Sequence, residues 1–354
     1  SFQPFESNDM AHVMTEKKTK IDYKFYKAKD QTVLKSLGKE KLLGILGKML
    51  LIRHLETRAE AAYQQGLIGG FFHTYTGQEA IQTSAVEAIG VKDNWWTTTY
   101  RCHALAYLCG VTPAEIMSEL YGRSNGNAMG RGGSMHLYSD RLLGGHGIVG
   151  GHLPIATGAG FSIKYQVETG VSVCFLGDGA FIQGAVHESL NLASLWDLPC
   201  IYVVENNQWG MGTAVKRAVC SNPIAESFAK AYGMEDYTLD GMDFLSCYCA
   251  FKEINEKVKK TSRPILVEAV TERFRGHSIS DPALYRTKEE LAQVKVRDPI
   301  ILLKSHMIEK EYITEDEFST ISNVQKKIVI DAMDFASKSS NPDPINLEQD
   351  VFAP

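Results

Sequence analysis

An aspartate and an asparagine, Asp178 and Asn207, each stand just past an apolar run, 29 positions apart. The first run, VSVCFL, leads into Gly177-Asp178-Gly179, and the second, CIYVV, leads into Glu205-Asn206-Asn207. Short β-branched runs of this kind read as buried strands of a parallel sheet, and such sheets bind ligands beyond the carboxyl ends of their strands. The donors suit a hard divalent cation. Asp178 offers a carboxylate, Asn207 an amide oxygen and Trp209 a backbone carbonyl, which leaves octahedral positions for water and phosphate oxygens. Glycine on either side of Asp178 lets backbone N–H groups approach a phosphate, and a helix starting near Gly184 adds its positive end. A surface turn would explain either block alone. Both blocks together, with 26 residues that read as helix and strand between them, point to a magnesium-bound diphosphate.

Positioning such a site requires an alternating α/β scaffold, and the chain supplies one. LPIATGAGFSIKYQ reads as a helix before VSVCFL, and GAVHESLNLASLW as a helix with Val186, Leu190 and Ala193 on one face. IAESFAKAYG and MDFLSCYCAFKEINEKVKK are further helices, and PILVEAV is a strand. The fold class expected is therefore α/β, a three-layer α/β/α parallel sheet. Upstream, a long helix starts from Leu42, with Ile45, Met49, Ile52, Ala59 and Ala62 on one stripe, and AIQTSAVEAIGV forms another. The glycine-dense stretch 122–151 reads as a loop system without regular elements. Residues 275–298 read as polar loop, and Thr314 with Glu317 forms a capping box opening a last helix to about Lys338. The division expected is an N-terminal arm (1–38), one α/β domain (39–338) and a C-terminal tail (339–354).

Composition excludes several classes. A formal net charge of -5 argues against nucleic acid as a partner. No apolar run reaches the roughly 18 residues of a membrane helix. The seven cysteines have no disulfide-type spacing and no CxxC pair, so a reducing compartment is expected. The polar N-terminus, which starts at Ser1, has no apolar signal core.

Spacing of the GDG and NN blocks resembles the binding motif of thiamine diphosphate enzymes. The wider sequence is similar to the alpha subunit of the decarboxylating component of 2-oxo acid dehydrogenase complexes, nearest the pyruvate type. The resemblance runs from about residue 45 to 335. It rests on HTYTGQEA (73–80), TTYRCHA (98–104), GRGGSMHLYS (130–139), GHGIVGGHLPIATG (145–158), ENNQWGMGT (205–213), RFRGHSISDP (273–282) and YRTKEE (285–290). It implies the thiamine-diphosphate-binding fold, diphosphate half, with a helical C-terminal extension. It also implies that Tyr100 and Arg101 hold the diphosphate, and that Asp178, Asn207 and the Trp209 carbonyl hold Mg2+. Relatives often carry tyrosine at Trp209, where only the backbone is used. Gly179 and Ala180 would bring backbone to the diphosphate. Gly147 and Val149 would meet the aminopyrimidine, with Ile148 as the apolar wedge that bends the cofactor. Arg273 and His277 would come from a loop covering the phosphates.

His103 and His277 are the candidates for proton handling. Of the other histidines, His136, His146, His152 and His187 lie near the site by sequence, while His12, His54 and His306 read as structural. Gln183 is a candidate substrate contact and Ser278 a candidate phosphorylation site, although Ala214 and the short DPALYR lack two other serines of eukaryotic relatives. A bacterial-type, cytoplasmic enzyme is the simpler expectation, with a mitochondrial matrix or plastid stroma the alternative if a leader was removed. The glutamate that activates thiamine belongs, by the resemblance, to a separate beta subunit, and neither Glu79 nor Glu87 takes that role. The implied assembly is an α2β2 heterotetramer that decarboxylates a 2-oxo acid. The acyl group would pass to the lipoyl domain of a dihydrolipoyl acyltransferase core.

Three rival readings stand beside this one. Gly145-His146-Gly147-Ile148-Val149-Gly150 matches the dinucleotide fingerprint, but the lead-in YSDRLL does not read as a strand. A scaffold subunit without activity would not need Asp178, Asn207, Arg101 and His277 together. Branched-chain 2-oxo acid and acetoin enzymes share the motifs, and the Gly151–Pro154 run with residues 205–213 favours pyruvate.

Overall fold

The computed structural model describes residues 21–283 and 285–348. Its centre is a six-stranded, all-parallel sheet in the order β2-β1-β3-β4-β8-β7. The strands are β1 (Trp95–Thr99), β2 (Leu142–His146), β3 (Ser172–Gly177), β4 (Cys200–Asn206), β7 (Glu235–Asp240) and β8 (Ile265–Val270). A two-stranded antiparallel ribbon, β5 (Trp209–Gly210) with β6 (Thr213–Ala214), follows β4. Strand side chains alternate between two cores, as the period of two requires. Val173, Phe175, Ile201 and Val203 enter one cluster, while Cys174, Leu176, Tyr202 and Val204 enter the other. Each fully buried side chain of this size contributes about 1.5–3 kcal/mol. Hence β3 and β4 read as continuous apolar runs, because both faces are covered.

The first face is covered by α1 (Asp30–Gln64), α2 (Glu79–Ile89), α3 (His103–Leu108), α4 (Pro113–Leu120), α10 (Phe244–Thr261) and α13 (Glu315–Lys338), all of which contribute to the first cluster. The second is covered by α5 (Leu153–Tyr165), α6 (Asp178–Phe181), α7 (Gly184–Leu195), α8 (Val215–Ala218) and α9 (Ile224–Phe228). α11 (Lys288–Val296) and α12 (Pro299–Glu309) precede α13. The expected three-layer α/β/α architecture is therefore present, and the capping box of Thr314 and Glu317 does open α13.

Five details depart from the sequence reading. Of the arm expected over 1–38, residues 1–20 lie outside the described residues. From Asp30 the chain is helical, broken at Gly38 (φ 75°, ψ 162°), because Val33 and Leu34 bury in a third core with Leu42, Ile45, Leu303 and Met307. The glycine-dense stretch is not free of regular elements, since it contains β2. Glycine is needed there: a Cβ on Gly145 would lie 2.6 Å from the Cys102 side chain. The polar run 275–298 contains α11, whose signal is its capping box of Thr287 and Glu290 rather than an apolar stripe. IAESFAKAYG gives α9 followed by a 3-10 turn at Ala229–Tyr232, and β7 had no strand signal in EDYTLD.

The β2 correction bears on the dinucleotide reading, because a strand does run into Gly145. In a dinucleotide unit, however, the strands on either side of the crossover helix are neighbours. Here β1 lies between β2 and β3, so the fingerprint has no partner strand in place.

Candidate active site

The carboxyl ends of β1, β3, β4 and β8 open onto one cavity of about 890 Å³. Tyr100 and Arg101 follow β1, Asp178 follows β3, Asn207 follows β4 and Arg273 follows β8, and all five line it. The structure thus brings together residues spread over 173 positions, from Tyr100 to Arg273. Gly147, Ile148, Val149, Gly179, Ala180, Trp209, His277 and Ser278 line the same space.

Asp178 is only 2% exposed, and burial pushes its carboxyl up to about 6, against the pull of Arg273 and the Asp178 and Gly179 amides. Asn207 is 7% exposed; its Nδ2 donates to Gln78 Oε1 at 3.3 Å, and its Oδ1 is buried without any hydrogen-bond partner. An orphaned buried amide oxygen costs roughly 1–3 kcal/mol. A buried carboxylate beside an orphaned oxygen donor fits a cation. The backbone allows close approach here as well, since a Cβ on Gly179 would meet the Gly210 backbone at 3.1 Å. The helix end adjoining the acid is the single turn of α6, with Gly177 as its cap. α7, the helix expected to serve, starts only at Gly184, so α6 takes the nearer place.

Two guanidinium groups line the same cavity as this acid. Arg101 donates through Nη1 to the Thr74 carbonyl (2.8 Å) and through Nη2 to the His277 carbonyl (2.6 Å), tying the 73–76 and 273–281 loops together. Arg273 donates through Nη2 to Tyr285 Oη (3.1 Å) and meets His277 Nδ1 at 3.2 Å, while its Nε is buried without a partner. Burial and then the Arg101 charge push Arg273 down to about 10. Two buried cations at one cavity wall make a place for a polyanion. His277 is held near 3 by burial, then by Arg101 and Arg273, so its ring is neutral. With Nδ1 accepting from Arg273, its proton sits on Nε2. Ser278 is half-buried, and its Oγ lies 3.0 Å from Ser280 Oγ.

Two candidates do not join the site. His103 is fully buried outside the cavity lining, with Nδ1 3.1 Å from both Glu56 carboxylate oxygens and Nε2 2.9 Å from Ser134 Oγ. Both ring nitrogens are bonded to these partners, away from the cavity. Gln183 is exposed as the N-cap of α7, packed against Gly150, and is also absent from the lining. Among the other histidines, His146 and His152 line the cavity and stack on each other at 5.6 Å. His136 bonds the Gly132 carbonyl, His187 bonds Tyr232 and His54 bonds Ser322.

Three cavity residues had no role assigned from sequence. Gln78 holds Asn207 and has an unpartnered buried Nε2. His73 packs at a tilt on Tyr100, with ring centres 4.4 Å apart, and, like His277, is held near 3 by burial and by Arg101. Glu205, pushed up to about 7 by burial, accepts from Tyr75 Oη and Gln82 Nε2. His73 and Gln78 both sit in the HTYTGQEA block, and only the fold reveals that its loop reaches the ends of β1 and β4.

Comparison with known proteins agrees with this geometry. Residues 47–345 match the family described as "Dehydrogenase E1 component". The chain is 41% identical over 316 residues to the pyruvate dehydrogenase E1 component subunit alpha of Rickettsia felis, covering 89% of this chain and 96% of that one. Against the protein of the same description from Rhizobium meliloti it is 41% identical over 318 residues, covering 89% and 91%. The mitochondrial type I alpha subunit of Ascaris suum is 40% identical over 315 residues, covering 87% and 77%. No described helix is long and apolar enough to cross a membrane. The chain belongs to the dehydrogenase E1 component family.

Proposed function

We propose that this chain is the alpha subunit of a thiamine-diphosphate-dependent pyruvate dehydrogenase, which decarboxylates pyruvate and passes the acetyl group to the lipoyl arm of an acyltransferase core. The observation that carries the reading is the buried, unpartnered Oδ1 of Asn207 beside Asp178, at a cavity that also holds two buried guanidiniums. In this reading Asp178, Asn207 Oδ1 and the Trp209 carbonyl hold Mg2+. Arg101, Arg273, Tyr100 and His277 Nε2 hold the diphosphate, with the backbone of Gly179 and Ala180 beside it. Gly147 and Val149 meet the aminopyrimidine, and Ile148 supports the bend. The bound cofactor supplies the electron sink that takes up the electron pair left when carbon dioxide departs. His277 and His73, both neutral, offer hydrogen bonds without adding charge to a cavity that must admit an anion.

A second chain completes the site. Among the described residues, the carboxylates lining the cavity are Asp178, Glu205 and Asp281. Asp178 is assigned to the metal, Glu205 is bonded by Tyr75 and Gln82, and Asp281 accepts from the His277 amide and Tyr285 Oη. None is free to activate the pyrimidine ring, which supports a glutamate from a beta subunit in an α2β2 heterotetramer. Ile148 (78% exposed), Phe71 (66%) and Met211 (64%) form apolar surface on the cavity lining that such a partner would cover. The setting that goes with this reading is a bacterial-type cytoplasm.

The test is co-expression with the partner chain. Decarboxylation of pyruvate and of branched 2-oxo acids, and acetoin cleavage, would be followed with and without thiamine diphosphate and Mg2+. Pyruvate turnover that needs both cofactors is expected. Preference for another substrate would keep the site and change the name; no cofactor-dependent turnover from an intact heterotetramer would remove the catalytic assignment.

A further inference from the structure

The turn that carries the two metal donors after β4 is held from behind. Between Asn207 and Trp209 stands Gln208, at φ 71°, a left-handed conformation that costs a residue with a Cβ about 1 kcal/mol or more. Asn206 Oδ1 accepts from the Gln208 amide (3.0 Å) and from Gln208 Nε2 (2.9 Å). Asn206 Nδ2 donates to Glu268 Oε1 (2.7 Å) on β8. The remaining partner comes from far away in sequence. Tyr23 Oη accepts from Gln208 Nε2 (3.1 Å) and from Asn206 Nδ2 (3.3 Å).

Tyr23 is placed by an extended segment. Over residues 21–26, Ile21, Tyr23, Phe25 and Tyr26 are half-buried while Asp22 and Lys24 are exposed. The Tyr26 amide donates to the Thr238 carbonyl of edge strand β7 (2.8 Å), and Tyr23 stacks on Phe25 at 5.7 Å. Ile21 packs on the second core and Tyr26 on the first. Burial pushes the Tyr23 hydroxyl up to about 12, so it stays protonated and uncharged over the working range.

We propose that residues 21–26 form a strap whose Tyr23 hydroxyl, with Gln208, fixes the left-handed turn and thereby the position of Asn207 Oδ1 at the metal. Tyr23 and Gln208 are positioning residues, since neither is among the residues lining the cavity. The inference rests on the functional reading above, and the test separates the two. The probe is Mn2+, titrated by electron paramagnetic resonance into the full chain purified with its partner subunit, at saturating thiamine diphosphate.

In Tyr23→Phe, which keeps the ring and removes one neutral hydrogen-bonding group, Mn2+ binding weakens about fivefold. Gln208→Ala weakens it by a similar factor, and the double variant is weakened by less than the product of the single effects, because the two residues share a contact and act on one turn. An unmoved Mn2+ curve in Tyr23→Phe overturns the proposal. So does a lowered thermal midpoint with the Mn2+ curve unmoved, which makes the strap structural only. Single effects that simply multiply in the double variant overturn the shared route. Absence of any cofactor-dependent Mn2+ site in the wild type overturns the functional reading and takes the strap's role with it.

Discussion

Two regions of this molecule bury a carboxylate among glycines, and they end in opposite states. At the end of α4, Glu119 is fully buried, and its oxygens accept from four backbone amides: Ala128 (2.7 Å), Gly130 (2.9 Å), Gly132 (2.7 Å) and Gly133 (3.0 Å). A carboxylate at a helix C-terminus opposes the dipole, so those four donors are what make the position tolerable. Gly126 and Gly132 must lack a Cβ, because one would fall 2.3 Å from the Glu119 carboxylate at Gly126 and 2.8 Å from the His136 carbonyl at Gly132. At the end of β3, Asp178 is as deeply buried, yet its neighbour Asn207 Oδ1 has no donor and Arg273 Nε has no acceptor. One acid has used its surroundings to build a loop. The other sits among polar atoms that no protein group satisfies, a donor and acceptor set that suits a ligand.

The comparison breaks most visibly under substitution. Asp178→Asn removes one metal donor, and its largest expected effect is loss of cofactor-dependent turnover by at least about a hundredfold, in line with removing one preorganised charged contact. The thermal midpoint of the metal-free protein should hold or rise, since burial already disfavours the ionised acid. Glu119→Gln should do the reverse. Its amide turns an NH2 group toward two backbone donors, costing roughly 3 kcal/mol and lowering the midpoint of a chain this long by about 4 °C. The chain should still bind Mn2+ with thiamine diphosphate at the wild-type midpoint. Calorimetry and Mn2+ titration on both variants test the contrast, and an unmoved midpoint in Glu119→Gln would show that the two acids do not differ as argued.

The same contrast explains what the sequence disclosed. Elements with an apolar stripe or a two-faced strand were legible: β3, β4, β8, α5, α7 and α10 follow from the period of burial alone. β2 and β7 were not, because two of the five residues of Leu142–His146 are glycine and half of Glu235–Asp240 is charged. At the site, Asp178 and Asn207 were readable since a polar group past a buried strand has no packing role. His103 and Gln183 lie outside the cavity lining, because adjacency in sequence to Arg101 and Asp178 does not fix where a side chain points. His73 and Gln78 sit on one loop and Glu205 on β4, and the loop meets the strand end only through the parallel topology.

The smallest expected effect is a tilt in the pH dependence of stability. His73 and His277 are held near 3 against about 6.5 when unfolded, so between those values the unfolded chain binds the extra proton. Their contribution is complete above about 6.5 and is lost as pH falls toward 3. Asp178, raised to about 6, and Glu205, raised to about 7, have the opposite sign. Their contribution is complete below the unfolded values and is lost as pH rises through the folded ones. Between about pH 4.5 and 6 the two pairs nearly offset each other in the metal-free chain. His73→Gln removes one histidine from that balance, and Asp178→Asn removes one acid. Relative to wild type, thermal midpoints of the first variant should fall with rising pH across this window, and those of the second should climb. Each slope is at most about 1.4 kcal/mol per pH unit. Tilts of the same sign in both variants would mean that the cavity groups titrate as one block, and that the opposition between its cations and its acids is not what sets their protonation.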